Sequence, residues 1–375
     1  MSSPGSIEQR RDRGAPLVTD PRKNKNQKYT LLELILVVIS SVISGYYSPD
    51  EMADFAKEKR GWLQKFAPFE YGTPSHETIR YFLCAINPTH LVQCFIQFAS
   101  TVNSDFSQDV ISIDGKTIRG SGYHNSLDAI HVISAWSNAH GITLAALESM
   151  GKKNEIKTIP QVIDMLDVKG ATMTTDAMGC QKEISKKIID SGNHYVLQIK
   201  DNQKGLLDQI KAYHHRLLRT GFEDVCYSEF ETVEKGHGRI EIRKYTQFEL
   251  SDWVEGKDQW SGLTTAVHVH RTREIKGKVQ TEESWYISSR NPDGEKTAKA
   301  IRQHWGVENG LHWRLDVIFD DDNSQMHSGF GPLNLSLIKR FCMNLLGKDQ
   351  SKRSMKRKIM SAAITDEYRE RMLFD

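Results

Sequence analysis

Apolar residues recur at helical spacing in the segment that follows a polar start. Leu32, Ile35 and Ile39 are three or four residues apart, as on the buried face of a helix. The run Ser48–Glu51 has the order of a helix start, with a serine placed to cap it and a proline at the first helical position. This pattern predicts a small α-helical domain over residues 29–105.

From residue 109 onward the pattern changes to short β-branched runs separated by turns. Val110–Ile113 is apolar, and the turn signal Asn138–Gly141 further on separates two strand-like runs, as in a hairpin. In chain order, the other predicted elements are strands at Ile130–Trp136 and Ile142–Leu147, a helix at Glu155–Leu166, a strand at Ala171–Thr175, a helix at Gln181–Ser191 and a strand at His194–Lys200. Because a Rossmann fold would alternate strands and helices strictly, this order predicts a mixed α/β sheet, in a domain over residues 106–346.

A block of strand patterns at residues 222–290 interrupts the α/β order. The candidate strands are Glu229–Val233, Arg239–Phe248, Leu263–His270 and Glu283–Ser288. Helical patterns then resume from Glu295 to Leu346. The block therefore predicts a β-rich insertion within the α/β domain.

Both ends of the chain are polar and basic. Residues 1–28 have seven Lys and Arg against three acidic residues, and residues 347–375 are predicted to form a basic C-terminal tail. Such a segment is either a solvated flexible end or an arm that binds nucleic acid, and the pattern leaves both open.

Composition excludes several classes of protein. The 375 residues are 38% hydrophobic, which is enough for a buried core, and the net charge of +2 excludes a histone-like polycation. The five cysteines form no C-x-x-C pair, which argues against a disulfide framework or a cysteine zinc site and fits a reducing cytosol. The most apolar run, Leu34–Ile39, is far shorter than the ~18 residues that a membrane span needs. We therefore expect a cytoplasmic protein without a membrane partner.

Three carboxylates have placements typical of a site. Asp114 and Asp176 each follow a predicted strand, where α/β folds place ligand-binding groups, although each could also begin a turn. Glu308 lies on a predicted helix with His304 and His312 at four-residue spacing, so the three share one face. Gly306 and Gly310 weaken this helix, which indicates a close approach of another group.

Carboxylates from two strands and a helix suit Mg²⁺ or Mn²⁺, because hard cations take oxygen ligands and keep positions open for phosphate and water. Two such ions would serve phosphodiester chemistry. Zinc bound by His304, Glu308 and His312 is the alternative that the spacing leaves open.

An ordered set of motifs resembles the bacterial insertion-sequence transposases of the H-repeat-associated type. The motifs are Asp114–Ser121, Lys153–Ile156, Thr175–Gln181, Lys200–Gln203, His237–Glu241 and His304–Trp313. The segment from Asp20–Arg22 to Pro74–Ile79 resembles the helical domain associated with that family. The resemblance runs from about residue 20 to residue 346.

The resemblance implies a ribonuclease-H-like core with an Asp-Asp-Glu triad formed by Asp114, Asp176 and Glu308. The second gap in this triad is long, as the β-rich insertion would make it. Related cut-and-paste transposases have Tyr, Arg and Lys around the glutamate, whereas this chain has Ile301, His304 and Leu315. A hairpin excision pathway is therefore not implied.

The function implied is metal-dependent cleavage of DNA at the ends of a mobile element, followed by strand transfer into target DNA. A homodimer on paired ends is the matching assembly. The alternatives are a non-catalytic DNA-binding descendant and a nuclease that cuts without joining. The side chains expected to contact DNA are those of Lys116, Arg119, Lys200, Asn202, Gln203, Arg302, His304 and Asn309.

Overall fold

The computed structural model describes residues 20–22, 27–102, 105–122, 129–151, 154–236 and 238–374. Most of the basic segment 1–28 lies outside these residues, as does His237. In the described part of the chain, no helix combines the length and apolar composition that crossing a bilayer requires.

The N-terminal region is helical, as predicted. Thr30 and Ser48 each cap a helix whose third residue, Glu33 or Glu51, bonds back to the cap. The helices before the first strand are α1 (Leu31–Ile43), α2 (Pro49–Glu58), α3 (Arg60–Leu63), α4 (His76–Ala85) and α5 (Pro88–Val102).

Nine strands within the described residues form one sheet. Its strands are β1 (Val110–Thr117), β2 (His131–Ser137), β3 (Ile142–Ser149), β4 (Thr172–Thr175), β5 (His194–Ile199), β6 (Tyr227–Gly236), β7 (Arg239–Glu249), β8 (Thr265–Ile275) and β9 (Lys278–Ser288). Their order across the sheet is β3-β2-β1-β4-β5-β9-β8-β7-β6. Strands β1, β4 and β5 are parallel, and the other neighbouring pairs are antiparallel. The sheet is mixed, as the element order predicts.

The β-rich block extends the same sheet. Its last strand, β9, pairs with β5 through Val196 and Ser288 up to Ile199 and Trp285. One face of the extension packs against α9 (Gly294–His304) through Tyr245, Val267 and Ile301. The insertion is therefore continuous with the edge of the sheet next to β5.

The helices of the α/β domain cover the sheet and lead into the C-terminal region. They are α6 (Glu155–Asp164), α7 (Lys182–Asp190), α8 (Lys204–Thr220), α9, α10 (Trp313–Val317) and α11 (Gly331–Gly347), with a π-helix at Glu308–His312 between α9 and α10. Helix α11 packs against α1, α4 and α5. The N-terminal helices thus share one hydrophobic core with the segment after the π-helix.

The C-terminal segment forms two helices, α12 (Met355–Ile364) and α13 (Asp366–Phe374), where the sequence predicted a basic tail. Ile359 and Met372 are buried against the N-terminal helices, and Trp62 donates a 2.8 Å hydrogen bond to Glu370. The guanidinium of Arg369 lies 4.1 Å from the centre of the Trp62 ring. Basic residues dominate the composition of this segment although its helices have an apolar face, so composition alone indicates a tail.

Candidate active site

A cavity of about 430 Å³ opens beside the ends of the parallel strands β1, β4 and β5. Asp114, Asp176 and Glu308 all line it, together with Lys200 and His304. The structure thus brings the three predicted carboxylates to one cavity from two strands and a helical segment.

The two aspartates are positioned by the strands that precede them. Asp114 belongs to β1, two residues beyond Ser112, the last residue of β1 that pairs with β4. Asp176 follows β4 directly, and its Oδ1 accepts a 3.1 Å hydrogen bond from the backbone of Gly179. Because parallel strands end at the same edge of a sheet, both carboxylates reach the same cavity.

Two residues predicted to bind DNA hold the loop that follows Asp176. Asn202 donates a 2.7 Å hydrogen bond to the carbonyl of Ala177, and Gln203 donates one of 3.1 Å to that of Cys180. Their side-chain amides connect the end of β5 to the second aspartate. Both are therefore placed to orient Asp176 through the loop that follows it.

Glu308 begins the π-helix, which wraps closely over the end of the hairpin β2–β3. A Cβ atom on Gly310 would lie 2.9 Å from the ring of Trp136, and one on Gly306 would lie 2.3 Å from Asn138 Oδ1. The requirement for glycine is stricter at Gly310, because the obstacle there is the rigid ring of Trp136 rather than the end of a side chain. This explains the two glycines, and single-turn π-helices are frequent at functional sites.

His312 lies between two of the carboxylates. Its Nδ1 is 3.6 Å from Asp114 Oδ2 and 3.6 Å from Glu308 Oε2. Its Nε2 is buried and has no hydrogen-bond partner among the residues that the structure describes. His312 is thus placed to hold Asp114 and Glu308 together.

The carboxylates carry unbalanced negative charge. Burial raises the pKa of Asp114 to about 6, against which His312 acts, and the charges of Glu308 and Asp176 raise it further. A hydrogen bond from His312 lowers the pKa of Glu308 below its usual value. Burial lowers the pKa of His304, whose Nδ1 is 3.0 Å from Thr174 Oγ1, so its imidazole is neutral at pH 7.

The donor set fits a divalent cation. Ligand atoms of Asp114, Glu308 and His312 lie within 4.8 Å of one another, and the Asp176 carboxylate faces the same cavity. A dication would favour the charged form of Asp114, whose pKa is raised by burial first and by the charges of Glu308 and Asp176 next. Among the residues that the structure describes, Asp176 and His304 both line the cavity outside this cluster. Three carboxylates around one cavity suit Mg²⁺ or Mn²⁺ better than zinc.

The remaining predicted DNA contacts are dispersed. Lys116 is buried, with its Nζ 2.6 Å from Asp316 and 2.8 Å from Asp322, so two carboxylates already balance its charge. Arg119 is exposed beyond this cluster. Arg302 and Asn309 line a second groove next to the cavity. Of the predicted cations, Lys200 is the one that lines the cavity itself.

Other residues that line the cavity were not foreseen. Glu155 lies 2.5 Å from His131 Nε2, and this pair covers Gly115, the residue next to Asp114. Arg271 and Tyr286 reach the cavity from the β-rich insertion. A sequence signal existed for Glu155, since it belongs to one of the motifs. None existed for Arg271 and Tyr286, because their position depends on the pairing of β9 with β5.

Comparison with known proteins follows the same division of the chain. Residues 105–345 match the family described as Transposase DDE domain, and residues 16–99 match the family described as DDE_Tnp_1-associated. The chain is 36% identical to YbfL and 35% identical to YhhI, both of Escherichia coli K12, and each alignment covers 94% of both chains. YhhI bears the name "H repeat-associated putative transposase".

The chain also aligns with the piggyBac transposase in a cryo-EM synaptic complex with hairpin DNA. The TM-score is 0.47 and the identity 11%, over 94% of this chain and 76% of that chain, values too low to establish a shared fold by themselves. The sheet and the helices confirm the predicted α/β class, with a β-rich insertion and a preceding helical region. The chain belongs to the family of transposases with a DDE domain.

Proposed function

We propose that this protein is an active DNA transposase that cleaves DNA at the ends of its element and transfers the freed strand into target DNA. The observation that carries the proposal is the convergence of Asp114, Asp176 and Glu308 on one cavity. These three carboxylates are the proposed catalytic residues and metal ligands. The proposed units are the helical domain at residues 29–105 and the catalytic domain at residues 106–346, with its insertion at 222–290.

The cofactor proposed is Mg²⁺ or Mn²⁺, with two ions. Asp114 and Glu308 would hold one ion on the side of His312, and Asp176 would contribute from the end of β4. When bound, such ions polarise the phosphodiester and activate the attacking oxygen. The ligand charges are fixed by the strands and by the π-helix, so little reorganisation is needed as DNA enters.

The protein groups around the cavity have separate roles. Lys200 would position the scissile phosphate, since it lines the cavity as a cation. His312, whose Nδ1 lies 3.6 Å from Glu308, would hold this carboxylate by charge, and neutral His304 lines the cavity. The basic residues 1–28 would bind flanking DNA. Two copies of the chain on paired ends would complete the reaction in the bacterial cytoplasm, where the DNA lies.

The test is a cleavage and joining assay with DNA that carries both genomic flanks of the gene. Asp114→Asn, Asp176→Asn and Glu308→Gln should each abolish cleavage in Mg²⁺ or Mn²⁺ and leave DNA binding measurable, because each removes a ligand charge and keeps the side-chain shape. Asp208→Asn, at an exposed position on α8, is the matched control.

The products separate the alternatives. Joining of a 3′-OH to new DNA supports a transposase, whereas nicks without joined product indicate a nuclease. DNA binding without any metal-dependent cleavage indicates a non-catalytic descendant. Full cleavage by any two of the three variants overturns the triad.

A further inference from the structure

A second groove, of about 340 Å³, adjoins the catalytic cavity. Gln198, Arg271, Tyr286 and Trp305 line both, so the two spaces are adjacent. The second groove crosses the β-rich insertion, past the C-terminal end of α9. It therefore lies beside the catalytic cavity, on the face of the extended sheet.

Four arginines share this face of the insertion. Arg239 and Arg243 alternate along β7 with Glu241 between them, and Arg271 and Arg273 alternate along β8. In the register of the two strands, Arg243 faces Arg271 and Glu241 faces Arg273. Like charges directly opposite each other destabilise a sheet, so this pattern needs a compensating reason.

The carboxylate of Glu241 is the centre of the cluster. It is buried, with a side chain 2% exposed, and pairs with Arg243. Its oxygens lie 3.0 Å from Arg271 Nε, 3.5 Å from Arg239 Nε and 3.8 Å from Arg273 Nε. Two of these arginines have a second carboxylate nearby, since Arg271 lies 3.2 Å from Glu282 and Arg243 lies 3.2 Å from Glu234. Glu241 is the carboxylate that all four share.

The groove retains positive charge and unused donors. Five arginines line it, Arg302 included, and they outnumber the three glutamates that pair with them, Glu241, Glu282 and Glu234. Arg243 is nine-tenths buried, and its Nη1 lies 3.2 Å from Glu234 but outside hydrogen-bond geometry. Arg273 Nε also lacks a hydrogen-bond partner among the described residues. Buried donors without a partner are costly, which favours an anionic ligand.

We propose that this arginine groove binds the phosphate backbone of the DNA strand that leads out of the catalytic cavity, with Glu241 as its positioning residue. The proposal rests on the proposed function for the cavity. Guanidinium groups pair with phosphate through two parallel hydrogen bonds. Arg239 and Arg243 are four residues apart on β7, about 13 Å at the rise of a strand. That length matches about four nucleotides of one DNA strand at ~3.4 Å each.

The test compares two double variants that remove the same charge. Arg239→Gln/Arg273→Gln removes cations from the groove, whereas Lys235→Gln/Lys244→Gln removes exposed cations from the opposite face of β6 and β7. Binding of a DNA duplex with the gene's flanking sequence is followed by fluorescence anisotropy in EDTA over a range of salt concentrations. The groove variant should reduce the slope of log K against log salt by about 2, since each lost phosphate contact removes about one unit. The control should keep the wild-type slope.

Equal slopes for the two double variants would overturn the proposal and leave the cluster a purely structural ion network. Competition by polyglutamate as strong as competition by DNA would overturn it in favour of an acidic peptide. If the groove variant does not fold, Arg239→Gln alone, at a side chain 47% exposed on the rim, should reduce the slope by about 1. If the slopes differ as expected but the wild-type protein never cleaves DNA, the groove proposal stands and the proposed function is refuted.

Discussion

Replacing Asp114 with asparagine should stabilise the metal-free protein while it abolishes activity. Burial raises the pKa of Asp114 to about 6 from an ordinary value of 3.8, because the carboxylate is charged in an enclosed site beside Glu308 and Asp176. A carboxylate whose pKa is higher in the folded state than in the unfolded state destabilises the fold at neutral pH. Asparagine keeps the shape and removes the charge.

The magnitude follows from the shift. About two pKa units at ~1.4 kcal/mol each give an upper limit of about 3 kcal/mol, a net figure that already includes the opposing attraction to His312. The sign depends on pH. Above pH 6 the wild-type carboxylate is charged, and the variant exceeds the wild type in free energy of unfolding by the full amount. As pH falls from 6 towards 4, the folded wild type takes up its proton and the advantage disappears.

Thermal unfolding at pH 7.5 measures the stability of the metal-free protein in EDTA and the response to the metal in Mn²⁺. Mn²⁺ should raise the Tm of the wild type by mass action and leave that of Asp114→Asn almost unchanged. Asp208→Asn should match the wild type in both conditions, because Asp208 is exposed on α8. A variant less stable than the wild type in EDTA, or an equal response to Mn²⁺, would refute the reasoning.

Three further predictions concern packing, pH and base stacking. Gly310→Ala should cost about 1–3 kcal/mol and slow cleavage, because its Cβ would lie 2.9 Å from the Trp136 ring; Gly205→Ala, in open space on α8, should not destabilise. Burial lowers the pKa of His214 to about 4, so the free energy of unfolding should decrease as the pH falls from 6.5 to 4. In urea titrations over this pH range, His214→Phe should lose about 1–3 kcal/mol less than the wild type. Trp305→Ala should weaken DNA binding by about 1–3 kcal/mol at unchanged Tm, because this side chain is 57% exposed where the cavity and the arginine groove meet.

Each of these has an outcome that contradicts it. Normal cleavage and stability in Gly310→Ala would mean that the π-helix is not fixed by its contact with Trp136. An acid transition unaltered in His214→Phe would assign the loss of stability to other groups. A lower Tm in Trp305→Ala, with DNA binding reduced only in proportion to folded protein, would make Trp305 a packing residue.

The placement of the two aspartates could be read from the sequence because it depends on local order. A β-branched run that ends in Asp114 or Asp176 predicts a strand and a carboxylate at its end, and the parallel pairing of β1 and β4 then brings both to one edge. The glycines near Glu308 likewise indicated a close approach, which the contacts with Trp136 and Asn138 explain.

What the sequence could not provide depends on pairing between distant strands. Nothing local indicates that β9 pairs with β5, so the arrival of Arg271 at the cavity could not be predicted. The motif lysine Lys116 was expected on DNA, and its burial between Asp316 and Asp322 follows from the packing of α10. Trp260 lies in a polar stretch of the sequence, yet it is 3% exposed and belongs to the hydrophobic core.

The position of Glu308 depends on helices far from it in sequence. On the π-helix and α10, Val307, Leu311 and Leu315 enter the hydrophobic core formed by α1, α2, α4 and α11, while Glu308 and His312 face Asp114. A π-turn has poorer hydrogen bonding than an α-turn, so it persists only where its side chains are held by packing. The N-terminal helices supply that packing. The helical region at the start of the chain therefore supports the position of Glu308, the third of the proposed metal ligands, directly.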